Sequence, residues 1–157
     1  MPPPPEAAQV LRQFRIVFNA VKTHFQQVER KVGIGGSQVW ALSLVARHPG
    51  MGVGALAQAM DIHQSTASNL VKALTQRGLI DTDRDDRDRR AVRLHLTPEG
   101  HAVLDQAPAP WAGVLPDALA QLDGDTLRRL DHDLAQLIQL LALESAHDAA
   151  KTPLADM

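Results

Sequence analysis

ALAQAMDIHQSTASNLVKALTQRGLI, residues 55–80, is the stretch on which the fold turns. A short helical pattern over residues 53–60 gives way to a tight connection, Asp61-Ile62-His63. Ala67, Leu70, Val71 and Leu74 then recur at helical spacing, and Gly78 closes the pattern as a helix-ending glycine. Two short helices joined by a three- or four-residue turn have the outline of a helix-turn-helix. The second helix turns Gln64, Ser65, Ser68, Asn69 and Lys72 outward. These are small hydrogen-bonding groups with one cation, where a plain solvated face would more often carry Glu and Lys pairs.

Downstream, Leu79-Ile80 begins an extended segment, and Val92-Arg93-Leu94-His95-Leu96 alternates apolar and polar as a half-buried strand does. Between them lies DTDRDDRDRR, residues 81–90, with nine charged residues in ten positions. Pinned at both ends, it reads as the tip of a β-hairpin rather than a disordered run. Asp81, Asp83 and Asp85 fit the first positions of a calcium loop, but Asp86 replaces its turn glycine and Val92 its bidentate glutamate. The metal loop fails. A helix-turn-helix followed by a charged hairpin is a winged helix.

The flanks are helical. Val10, Phe14, Val17, Val21, Phe25, Val28 and Val32 make one apolar stripe on a helix over residues 10–32, ended by Gly33, Gly35 and Gly36. Ser37 is expected to cap a second helix over 38–47, which His48-Pro49-Gly50 ends. The prolines in Gln106-Ala107-Pro108-Ala109-Pro110-Trp111 predict a break in the fifth helix near Pro108. The last helix starts near Asp123 to Asp125 and carries Leu127, Leu130, Leu134, Leu137, Ile138 and Leu141 on one face. Paired with the first stripe, that face supplies a dimer core; alternatively both helices bury within one chain. Residues 1–9 and 148–157 are expected to be flexible tails, with one domain over 10–147.

Composition narrows the function. With no cysteine, disulfides, thiolate metal sites and thiol redox switches are excluded. No apolar run approaches the roughly 20 residues of a membrane span, and the expectation is a cytoplasmic protein with no membrane partner. Net charge is −2, but it is unevenly spread. Residues 1–60 carry six Lys/Arg against two Asp/Glu, while residues 101–157 carry three against nine. A polyanion should therefore meet the first hundred residues. Asp61, His63 and Ser65 cannot readily converge as a nucleophilic triad from a turn and a helix start, and no metal or cofactor motif is present. The chain does not read as an enzyme.

ALAQAMDIHQSTASNLVKALTQRGLI followed by DRDDRDRRAVRLHLTPEG resembles the MarR family of transcriptional regulators, the second motif through its D-x-R-D-R-R-A and L-T-x-x-G. The resemblance covers about 140 residues. It implies a mainly α fold with a winged helix-turn-helix lobe over 37–100 and a dimerisation lobe from helices in 10–32 and 101–147. It implies a homodimer on double-stranded DNA, with recognition helices in successive major grooves and wings over the minor grooves. Gln64, Ser65, Thr66, Ser68 and Asn69 would read base edges or hold phosphates, and Lys72 would meet phosphate. On the family pattern Arg90 would enter the minor groove with Asp88 fixing its guanidinium, and Arg84, Arg87 and Arg89 would complete the wing. A solvated loop whose charges only pair with one another is the alternative. Thr82 and Asp83 stand where the family commonly carries arginine, so phosphate contact at the base of the wing is in question. The resemblance also suggests release from a palindromic operator by a small aromatic, anionic effector, with Arg15, Phe18, Asn19, Trp40 and Ser43 as candidate contacts. The rival reading is a winged-helix module that binds protein rather than DNA.

Overall fold

The computed structural model describes residues 1–84, 87, 91–141 and 146–157. Helix α1 (Pro5–Val32) leads to α2 (Gly36–Arg47), α3 (Val53–Met60) and α4 (Gln64–Gln76). A hairpin, β1 (Ile80–Arg84) and β2 (Val92–Leu96), follows, then α5 (Pro98–Gln106), α6 (Val114–Ala120) and α7 (Gly124–Leu140). The described chain ends in α8 (Ala146–Ala150) and a 3-10 turn (Leu154–Asp156). The mainly helical winged-helix architecture expected from the sequence is the one observed.

The core is aliphatic. Leu42, Leu56, Leu74, Ile80 and Leu94, from α2, α3, α4 and the hairpin, are all fully buried. The strands pair antiparallel from Ile80 opposite Leu96 to Arg84 opposite Val92. The free edge of β2 is satisfied by the loop after α2: Gly50 N–H donates to the Leu94 carbonyl (2.8 Å) and Leu94 N–H to that of Met51 (2.9 Å).

The L-T-x-x-G motif has a mechanical explanation. Thr97 caps α5, its hydroxyl oxygen accepting from Gly100 N–H (3.0 Å) and donating to the Gly78 carbonyl (2.7 Å). A Cβ on Gly100 would stand 2.2 Å from the Leu79 carbonyl oxygen, so only glycine lets the start of α5 lie against the entry to the wing. Thr97→Val keeps the shape but loses both bonds and orphans the buried Gly100 amide. Its expected cost is about 1–3 kcal/mol of stability, read as a lowered urea midpoint with unchanged slope.

Three boundaries differ from the sequence expectation, and the expected break in the fifth helix is present. Helix α1 begins at Pro5, inside the expected tail, because Pro5 is preset for a first helical turn and Glu6 complements the helix dipole. Ser37 is not a cap; Gly35 is, and Ser37 lies within the first turn of α2. The fifth helix does break: α5 ends at Gln106, Ala107 caps it, Ala109–Pro110 is cis, and α6 starts after Gly113. There, the buried His24 donates from Nε2 to the Pro110 carbonyl (3.1 Å) and Trp111 Nε1 to that of Ala107 (3.3 Å). Lastly, the 148–157 tail is folded back onto the lobe. Pro153 is buried, and a Ser37 Oγ–Asp156 Oδ1 bond of 3.1 Å holds the 3-10 turn. A single buried proline in a short segment of mixed polarity gives no periodic signal, which is why the sequence reads as tail.

The terminal helices carry the apolar surface that the chain leaves uncovered. Helix α7 begins as expected, with Asp123 accepting from Thr126 N–H and Oγ (both 2.8 Å). The Thr126 backbone bond, then its hydroxyl, hold the Asp123 carboxyl below its ordinary pKa, so this cap is present at neutral pH and lost as acidification protonates it. No residue of α7 is buried. On α1 burial is confined to the C-terminal half, at His24 and Val28, while Val10, Leu11, Ile16, Val17 and Phe18 are exposed.

Candidate nucleic-acid interface

Helix α4 is oriented by what it buries. Ala67, Leu70, Val71 and Leu74 face the core, so Gln64, Ser65, Ser68, Asn69 and Lys72 face solvent and Thr66 is half-buried. The structure thus brings five of the six expected recognition residues onto the exposed side of one helix, with Thr66 at its edge. The turn before it depends on Asp61, whose backbone is left-handed (φ 54°), a conformation Asp tolerates better than most residues. His63 occupies the N-cap with no side-chain capping bond, leaving the first amides of α4 turned outward. Such a helix start favours an anion.

The hairpin stands beside α4. Arg84, at the end of β1, and Arg87 are exposed. Asp88, Arg89 and Arg90 lie outside the described residues, as do Asp85 and Asp86. At the base of the wing Thr82 and Asp83 are exposed, and Asp83 lies 3.7 Å from His95 Nε2. In the register Asp83 stands opposite Arg93, so the base of the wing presents mixed charge.

The candidate effector residues do not come together. Arg15, Phe18 and Asn19 lie on the exposed half of α1, where the Phe18 ring sits tilted against Phe14 at 5.8 Å between centroids. Trp40 and Ser43 belong to α2, where Ser43 is buried and donates to the Trp40 carbonyl (2.6 Å). The cleft beside Trp40, shared with Phe25, keeps only about 40 Å³ of space. Sequence reasoning missed a larger groove of about 430 Å³ that brings Arg47, from the end of α2, together with Pro110 and Trp111. The signal available was the proline-rich break itself, which turns Trp111 back toward α2.

Fold and outer helix face together define a winged helix-turn-helix protein. A profile of the MarR family matches residues 32–91. The chain is 33% identical over 122 residues to a Thauera aromatica protein assigned to transcriptional regulation of the hcr operon, spanning 74% of this chain and 69% of that one. It is 24% identical to the HTH-type transcriptional repressor MdtR of Bacillus subtilis, over 78% and 79% of the two chains. The structure of Streptococcus pneumoniae FabT in complex with DNA superposes with a TM-score of 0.57 at 17% identity, covering 85% of this chain and 96% of that one. This chain belongs to the MarR family and is a transcriptional regulator of that type. The relatives are regulators rather than enzymes, in agreement with the sequence reading. Among the described residues no helix is long and apolar enough to cross a membrane.

Proposed function

We propose that the chain is a homodimeric repressor that binds a palindromic duplex sequence and leaves it on binding a small aromatic anion. The observation that carries the DNA reading is the outer face of α4, a continuous set of short polar groups and one lysine held outward by a fully apolar inner face. Amide and hydroxyl groups of this size suit base edges and phosphate oxygens in a major groove. The MdtR and FabT relatives, named as a repressor and solved with DNA, support the same reading.

The dimer reading rests on the uncovered stripes of α1 and α7, which together exceed the scattered apolar residues a monomer exposes. Two copies related by a twofold axis would present two α4 helices about one turn of duplex apart. Anisotropy of a labelled duplex, titrated at two salt concentrations, tests DNA binding. A steep loss of affinity with salt is expected, because displaced counterions accompany each phosphate contact. A flat response would favour the protein-binding module, the reading to which mixed charge at Asp83 and His95 points.

For the effector, the groove at Arg47 and Trp111 replaces the cleft at Trp40 as the place of choice. A guanidinium supplies the carboxylate contact and an indole the stacking face. An aromatic carboxylate should quench tryptophan emission with micromolar to millimolar affinity. Arg47→Ala should weaken it by about tenfold, the effect of one charge-assisted bond. Unchanged emission across a panel of aromatic acids would remove this groove as the effector site.

A further inference from the structure

The C-terminal segment touches the winged-helix lobe in two places that DNA binding alone does not explain. At the first, Pro153, Leu154 and Ala155 close one side of the cleft that Phe25, Trp40 and Pro116 line, with Pro153 buried there. Gly36 makes that approach possible: a Cβ there would lie 2.2 Å from the Phe25 ring and 3.3 Å from the Ala155 Cβ. The space left, about 40 Å³, has room for little beyond a water. The tail therefore closes this cleft.

At the second place the segment meets the turn of the helix-turn-helix. The Asp148 carboxylate lies 3.2 Å from His63 Nε2, and the Lys151 ammonium bonds the Asp61 carboxylate. Asp61 and His63 are the two residues that end α3 and begin α4. Lys151 also borders the groove that Gln58 and Gln64 line. A carboxylate beside the uncapped start of α4 offers the charge and acceptor oxygens of a phosphate, in the place where a duplex backbone would approach. Leu56, Met60, Leu70 and Leu74 already fix the turn from within, so it does not need the tail for support.

We propose that residues 146–156 form an autoinhibitory strap: Asp148 occupies the phosphate position at His63, Pro153–Ala155 anchor the strap in the cleft, and duplex DNA binds when the strap leaves. This rests on the DNA-binding reading of α4. Exposed ion pairs hold weakly, so the apolar anchor sets how firmly the strap is seated.

The test compares the full chain with its Pro153→Asp variant on a random-sequence duplex, with hydrogen exchange of residues 36–40 and 153–157 followed in parallel. The added carboxylate repels DNA, so a gain in affinity cannot come from charge. The expected result is fast exchange over 153–157 and about tenfold tighter binding, as when about nine molecules in ten are strapped. Ser37→Ala, which removes the bond to Asp156 without changing charge, should shift both readouts the same way by less. Fast exchange with unchanged affinity overturns inhibition and leaves the DNA reading standing. Weaker binding shared by the charge-neutral Ser37→Ala places the strap in the bound form and overturns it too. Exchange already fast in the unaltered chain removes the seated strap. Failure of both chains to bind any duplex sinks the DNA reading and the strap's role together, and is told apart from the other outcomes by that common failure.

Discussion

Leu134→Asp is expected to convert the proposed dimer to a monomer and to lower duplex affinity by at least about a hundredfold. Leu127, Leu130, Leu134, Leu137 and Ile138 lie along one face of α7, between 36% and 45% exposed, with no residue of the helix buried by its own chain. Covering the exposed part of each of these side chains contributes less than half of the about 1.5–3 kcal/mol of full burial, so the stripes of α1 and α7 on both chains together offset the cost of association. A carboxylate in the middle of that stripe loses its leucine's share and must be desolvated without a partner. By twofold symmetry the substitution enters the interface in two copies. A lone lobe then meets one half-site and forfeits the second, which accounts for the loss on DNA. Sedimentation equilibrium checks the mass and anisotropy the affinity. A variant that sediments as the unaltered chain does, and binds as tightly, would show that α7 faces solvent.

Asn69→Ala, on the outer face of α4, is expected to weaken binding to the selected operator by about a hundredfold while leaving nonspecific binding unchanged. A bidentate amide contact to a base edge discriminates by about 1–3 kcal/mol, and a dimer makes it twice. Near the lower end of that range, two contacts amount to about 2.8 kcal/mol, or two decades in affinity. The side chain is exposed and packs into no core, so folding should be untouched. Equal loss on operator and random duplex would instead make Asn69 a phosphate contact.

The winged-helix lobe was legible because its signals are local and periodic. The spacing of Ala67, Leu70, Val71 and Leu74 set the inner face of α4 and so its outer one, and the alternation in Val92–Leu96 set the strand. The break after α5 followed from proline's missing amide. What stayed hidden depends on long-range packing. Ser37 looks like a cap in sequence, yet its hydroxyl serves Asp156, 119 residues away. Arg47 and Trp111 carry no common motif, and only the turn at Pro110 makes them neighbours. Family position groups Arg15, Phe18 and Asn19 with Trp40, but the fold separates them. Phe18 lies about two helical turns before Phe25, the α1 residue that reaches the cleft beside Trp40.

Selection of bound sequences from a random duplex pool tests the central claim most directly. The account predicts enrichment of a palindrome whose half-sites lie about one helical turn apart, bound by one dimer and lost in Leu134→Asp. Absence of any enriched sequence, or enrichment of a lone half-site bound equally well by that variant, would contradict it.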